Sequence, residues 1–326
     1  MARIIRSTGP TQLEPFCQAS PALSLPQVQR QKADEHWLLV NQADEICGRC
    51  SLWWQHTPPY KSHRIGLIGH FGAQESDAAG ELLAAACVAL RAKKCTMAIG
   101  PMDGNTWQRY RVMTERGTAP PFLLEPENPP EWPRYFSQNG FTAIAKYFST
   151  ITMDLTVRNP RLDAVAERLN AQGVTIRAAN GDGLVDELRH IYSVAAIAFQ
   201  NNVLYSPIEE DEFIAQYASL KSFIQPELVL LAEHDGRTVG FLFALPDWSQ
   251  AQRAEAVDTF IVKTVAVLPE YAGLGGLLVA RSHEIGASLG FQRAIHALMH
   301  EANKSRRISQ HYSQPLRQYA LFGKPL

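Results

Sequence analysis

The chain's clearest chemical feature spans residues 264–278, Thr264-Val-Ala-Val-Leu-Pro269-Glu-Tyr-Ala-Gly273-Leu-Gly275-Gly276-Leu-Leu278. A β-branched apolar run ends near a proline, turns through three glycines and enters a helical pattern. Glycine lets a backbone approach an anion closely, and the first N–H groups of a helix are unpaired and point at it. These residues predict a phosphate cradle; the bland alternative is a tight strand-to-helix turn with no guest. A Walker loop would carry Gly-Lys-Ser/Thr after its glycines, and a dinucleotide fingerprint would carry Gly-x-Gly-x-x-Gly with an acid on the next strand. Neither pattern fits here. Downstream, His296 and His300 stand four apart in a predicted strand, which puts both rings on one face. A neutral imidazole there could take a proton near pH 7. Glu301, Asp258 and a water chain are the other candidates for that base, and a hydrogen-bonded histidine without chemistry is the plain alternative. Cys47-Gly-Arg-Cys50 is a lone pair in a predicted strand, with no second pair to complete a tetrahedral set, so no metal is expected.

The words around the glycines resemble the acyl-CoA signature of the GNAT acyltransferase superfamily, in which a strand, a proline and an Arg/Gln-x-x-Gly-x-Gly/Ala loop lead into a helix. Two registers are open. Counted from Pro269, Ala272 stands in the Arg/Gln place; with Gly273 and Gly275 as the glycine pair, Glu270 stands there. The resemblance implies acetyl-CoA or another acyl-CoA as co-substrate, held by Gly273, Leu274, Gly275, Gly276 and Asn303. It implies that the main chain of Val265, Ala266 and Val267 bonds the pantetheine and the thioester carbonyl. In that superfamily a tyrosine seven residues after an asparagine commonly protonates the departing thiolate. Gln310 holds that spacing from Asn303 and Tyr312 lies two beyond, a rotation of roughly 200° along a helix. Tyr312 is therefore the expected acid and His300 the expected base, with a tyrosine packed under the last strand as the alternative.

Those residues need a scaffold, and the composition sets its scale. At 326 residues the chain exceeds the usual size of a single core, so two domains are expected. Apolar content of 46% with 19% charge is that of an ordinary soluble globule. A net charge of −1 without long like-charge blocks argues against a nucleic-acid or membrane partner. No apolar stretch approaches the ~20 residues of a bilayer span, and Met-Ala-Arg-Ile-Ile-Arg is no signal-peptide start. With five cysteines, an odd number, the expected setting is the reducing cytoplasm.

The second half predicts helices over 161–170, 184–199, 208–220 and 276–289, and another opening at Asn303. Strands are predicted over 174–177, 228–233, 238–245, 258–267, 293–299 and 316–322, with a hairpin at His234-Asp-Gly-Arg237. The first half predicts strands over 37–41, 46–54, 65–71, 96–99 and 141–155, and helices over 76–94 and 105–113. The element order repeats, which with the resemblance implies an α/β (α+β) chain of tandem GNAT-like domains. Each would be a mixed, mostly antiparallel central sheet flanked by helices. The expected division is 1–157, a degenerate copy, and 158–326, which keeps the cradle. Gly72-Ala-Gln-Glu-Ser76 offers one glycine and an acid where an anion would sit, so no coenzyme is expected in the first half. Trp107 and Tyr110 are expected to pack, and Pro120 to Pro133 to shape a surface. The expected function is transfer of an acyl group, acetyl first, to a primary amine of a small or amino-acid-like acceptor. The alternative is a non-catalytic module that senses an acyl-CoA or metabolite.

Overall fold

The computed structural model describes residues 2–7, 13–19, 23–302 and 313–326. The first half contributes β1 (Arg3–Ser7), α1 (Leu13–Gln18), α2 (Leu25–Arg30), β2 (Glu35–Val40), β3 (Ile46–Trp53), β4 (Ile65–Ala73), α3 (Ser76–Ala92), β5 (Met97–Gly100), β6 (Val112–Glu115), α4 (Trp132–Gln138) and β7 (Thr142–Thr152). The second contributes α5 (Arg161–Ala171), β8 (Thr175–Ala178), α6 (Leu184–Ala198), α7 (Glu210–Ala218), β9 (Val229–His234), β10 (Arg237–Pro246), α8 (Ser249–Gln252), β11 (Thr259–Val267), α9 (Leu274–Ser288), β12 (Arg293–His300) and β13 (Gln314–Pro325).

All the strands join one sheet in the order β1-β2-β3-β4-β5-β13-β7-β12-β11-β10-β9-β8, with β6 pairing on β13. The sequence β2-β3-β4-α3-β5 is repeated as β9-β10-β11-α9-β12, with the short α8 set between β10 and β11, as expected from the rhyming halves. In each repeat only one strand pair is parallel: β4 with β5 from Ile65↔Met97 to Leu67↔Ile99, and β11 with β12 from Thr259↔Arg293 to Val262↔His296. Each repeat also carries a bulge just beyond that pairing, around His70 and Phe71 in β4 and at Lys263 in β11. Bulges bend and twist a strand, and here the bent strand departs from its parallel neighbour.

The closing strands are exchanged. β7, the last strand of the first half, pairs with β12 of the second, while β13 inserts between β5 and β7. The halves are thus bonded along the middle of a common sheet. Alternating residues direct separate cores to the two faces. Under α3, Leu39, Leu52, Ile68 and Phe136 form one; under α9, Leu242, Phe260, Val262 and Leu278 form its counterpart. Phe241, Phe243 and Leu245 pack on the opposite face beneath α6 and α7.

The helix expected at 105–113 is not formed. The Asp103 amide donates to the Arg109 carbonyl, Met102 bridges Tyr110, and Arg111 sits at φ 67°, so the chain loops back before β6 begins. The spacing of Trp107, Tyr110 and Met113 imitated a helical stripe, but the three side chains serve different neighbours: Trp107 joins the core under α6, while Tyr110 and Met113 pack with Tyr147 and Tyr319. β1, β6, α1, α2, α4 and α8 carry no prediction from the sequence. The Asp235-Gly236 turn forms as predicted, with φ of 49° and 72°.

Candidate functional site

β11 reaches the glycines with β10 paired along one side and no strand paired along the other, because its pairing to β12 stops at Val262. Val265 and Val267 turn toward the α9 core and Ala266 toward the α6 face, so all three side chains are engaged in packing and only their backbone could serve a guest. The loop that follows is fixed from several sides. Tyr271 Oη lies 2.7 Å from His234 Nδ1 at the β9–β10 turn, and Arg168 of α5 donates to the Ala272 carbonyl at 2.5 Å.

Gly273 caps α9 in the left-handed region at φ 90°, where a side chain is strained. Its position is also crowded, since a Cβ there would lie 2.8 Å from Val165 Cγ1. The four expected loop residues divide. Gly273 is exposed and Gly275 half-buried, so a ligand can reach them, whereas Leu274 is fully buried and Gly276 is covered by Leu162 of α5. The Leu274 amide bonds the Tyr271 carbonyl, and the Gly276 and Leu277 amides both turn to the Gly273 carbonyl.

Beyond the parallel pairing, a segment of the first half lies against the gap. Phe122 packs with Ile261, Ile295 and Ala297, the Leu123 amide donates to Asp247 Oδ1 at 2.8 Å, and Lys263 Nζ donates to the Leu124 carbonyl at 3.0 Å. Burial first, then the nearby charge of Arg111, draw the Lys263 ammonium down to about 8. Glu125 follows in the same segment. It accepts from Tyr319 Oη, lies 3.3 Å from Arg317 Nη1, and its carboxyl is pushed up by burial against those favourable partners. Sequence reasoning missed this buried cluster; the only signal was a pair of acids, Glu125 and Glu127, in a proline-rich stretch.

The two histidines do not share a face. β12 changes register between His296↔Thr150 and Met299↔Phe148, and the extra residue reverses the alternation. His296 is buried beneath α9, with its Nε2 3.2 Å from His283 Nε2 and 3.3 Å from Thr152 Oγ1. His300 stands edge-on to Tyr147 with ring centroids 5.0 Å apart, beside Arg111, whose guanidinium lies over Tyr110 and Tyr147 at 4.0 and 4.2 Å. The Ala302 amide donates to His300 Nδ1 at 3.2 Å, which puts the neutral ring's proton on Nε2. Burial lowers the ring's proton affinity, favouring that neutral form. Asp258 is engaged by Arg293, at 2.7 Å to Oδ2, and by Gln250; against the cost of burial these bonds hold its carboxyl low. Cys50 is buried in the core, and Cys47 opens into a groove of the first half. Asn303, Gln310 and Tyr312 lie outside the described residues.

No protein-family model matches the chain. Two curated proteins do. One is protein YghO of Escherichia coli, 24% identical over 221 residues, which are 65% of this chain and 55% of that protein. The other is a bacterial ceramide synthase of Caulobacter vibrioides, 27% identical over 224 residues, 67% of this chain and 58% of that one. The match thus spans little more than half the length of either relative. Among solved structures, a GCN5-related N-acetyltransferase from Sphaerobacter thermophilus aligns at a TM-score of 0.51 and 14% identity, covering 99% of this chain and 95% of that one. A tandem GNAT protein from the clavulanic acid biosynthesis pathway aligns at 0.50 and 11% identity, covering 100% and 98%. At such identities a likeness carries the fold, and with the repeated splayed sheet it is decisive for that: the chain is a tandem GNAT-fold protein.

Proposed function

We propose that this protein transfers an acyl group from an acyl-CoA to a primary amine, with the thioester held by the second half and the acceptor pocket shaped by the first. The observation that carries the reading is the opening between β11 and β12, which ends in the exposed Gly273 turn capping α9. An extended strand with one free edge can bond a linear amide chain, and a glycine-lined helix start suits a diphosphate. Coenzyme A would bring an activated thioester to that edge.

The amine nitrogen bonds to the carbonyl carbon, the carbon–sulfur bond breaks, and the amine's extra proton leaves to water. Tyr312 is proposed to supply a proton to the thiolate, and Asn303 to line the same side. Tyr110, Arg111 and the 122–125 segment come from the first half and lie beside the opening with Tyr147 and His300. That convergence supports acceptor recognition by the first half. His300, with its proton on Nε2, is assigned to hold the acceptor or the acyl oxygen through that N–H. The relative named a bacterial ceramide synthase supports amide formation, a ceramide being an N-acylated amino alcohol, and adds long-chain amines to the acceptors worth testing.

The test is release of free thiol from acetyl-CoA and longer acyl-CoAs across a panel of amines. Turnover should appear for at least one pair and vanish in a folded Gly275→Glu variant. Coenzyme binding without thiol release from any pair would replace this reading with that of a sensor.

A further inference from the structure

A cleft of the protein lies well away from the Gly273 turn. It is a groove of about 620 Å³ in the first half, where β4 has parted from β5, bounded by Gly48 and Arg49 of β3, Gly72 of β4, Arg109, Arg116 and Trp132. By fold position it is the first half's counterpart of the β11–β12 opening.

Its charge is one-sided. Arg49, Arg109 and Arg116 converge on it, and the hydrogen bonds they make run to carbonyl oxygens: Arg49 to Ala19 at 3.3 Å, Arg109 to Glu127 and Arg116 to Asn128. Among the described residues none of the three is in an ion pair, although a guanidinium offers five donors. Arg49 Nε is buried with no partner, and just behind it Arg111 leaves Nε and Nη1 in the same condition. Asp103 is occupied, accepting the His70 amide at 2.5 Å and facing the His70 ring at 3.9 Å. Glu127 is an exposed rim residue, and among the described residues Glu75 and Glu81 make no ion pair with the three arginines. Burial, then repulsion by Arg109, draw the Arg49 guanidinium down to about 10, with Asp103 opposing the shift but not cancelling it.

The groove is also shaped for those cations. A Cβ at Gly72 would stand 2.6 Å from Arg49 Nη1, so the glycine is what lets the guanidinium lie across the strand. The Arg109 guanidinium lies 6.0 Å from the Trp132 ring centre. Fixed guanidinium forks with unused donors match phosphate oxygens, and the volume suits a small metabolite.

We propose that the Arg49–Arg109–Arg116 groove of the first half is a binding site for a phosphorylated small molecule, separate from the second-half cradle. It does not rest on the acyltransferase reading, because the site's ligand and residues are its own.

The experiment is calorimetric titration of the full chain with inorganic pyrophosphate at low salt. One-to-one binding is expected, weakened at least tenfold by Arg109→Gln and by Arg49→Gln and unchanged in Gly275→Glu. Arg109 is exposed, so its variant stays informative even if the Arg49 variant unfolds. Absence of binding, binding indifferent to Arg109→Gln, or binding lost in Gly275→Glu would overturn the proposal. So would succinate binding more tightly than pyrophosphate, which would make the ligand a carboxylate. In the Gly275→Glu protein, competition by coenzyme A would identify the phosphate source as that coenzyme's own diphosphate, and its failure to compete would identify another phosphorylated metabolite; either result upholds the phosphate site.

Discussion

His283 of α9 and His296 of β12 meet nitrogen to nitrogen, Nε2 to Nε2 at 3.2 Å, inside the second half. One ring must donate and the other accept, so at least one of the two is unprotonated, and burial favours the neutral form of both. Burial holds His283 down to about 4; burial and then the neighbouring His283 hold His296 to about 3.

From that pair follows a pH dependence of stability. Unfolded histidines titrate near 6.5, so between about pH 6.5 and 4 the unfolded chain takes up protons that the folded one refuses. Stability is fully present above 6.5 and falls as the pH is lowered, by up to about 1.4 kcal/mol per pH unit for each such ring. His36, held to about 4 by burial and then by His70, adds to the slope. Urea midpoints from pH 7.5 to 5 should fall steeply in the wild type and less steeply in His283→Leu. Equal slopes would mean the pair does not stay neutral.

Gly273→Ala is expected to destabilise the protein by about 1–3 kcal/mol and to weaken coenzyme binding. Two costs combine there, the left-handed φ of 90° and the contact with Val165. Gly236→Ala is the control, since its φ of 72° has nothing within 4 Å of the added carbon. The crowding contribution is the excess of the first loss over the second in denaturant titrations, and an excess near zero would show that α5 yields.

Trp107 should be a joint between the halves. Its indole donates to the Ser206 carbonyl at 2.8 Å, its own carbonyl takes Gln216 Nε2 at 2.9 Å, and its ring meets Phe213 edge-on at 5.7 Å. Trp107→Ala should cost about 2–4 kcal/mol, somewhat below the range for a large aromatic fully buried in a core, because the ring is half-buried. Hydrogen exchange should rise first over 184–218. A uniform rise through β1–β4 as well would assign the loss to global instability.

Much of the scaffold was legible because local patterns and tertiary packing agree there. The Asp235-Gly236 hairpin, the 276–289 helix and the β-branched strand before the glycines each carry their own signal, and the repeat of element order exposed the tandem plan. Interactions distant in sequence were not legible. Nothing in residues 314–325 says that the strand inserts beside β5, more than two hundred residues earlier in the chain. The bulge that parts His296 from His300 depends on β12 switching partner from β11 to β7, so a period-two reading of β12 alone assigned both rings to one face. The arginine groove was hidden for a similar reason. Arg49, Arg109 and Arg116 come from separate segments, and Arg109 and Arg111 stood in what the spacing made a helix.

Tyr312 and His300 are assigned different roles, one giving a proton to the thiolate and the other holding the substrate. The Ala302 amide occupies the Nδ1 lone pair of His300, and Nε2 carries the proton, so the ring as held is a donor. A base would have to give up that bond first. His300→Gln keeps a side-chain N–H donor and should cost turnover tenfold or less, leaving the acidic limb of the kcat/KM profile in place. Tyr312→Phe removes the proposed source of the thiolate's proton and should lower kcat by about 10²–10⁴-fold with little change in coenzyme affinity. Loss of the acidic limb in His300→Gln would make His300 the base. A Tyr312→Phe rate within threefold of wild type, with chemistry rate-limiting, would reduce that tyrosine to packing.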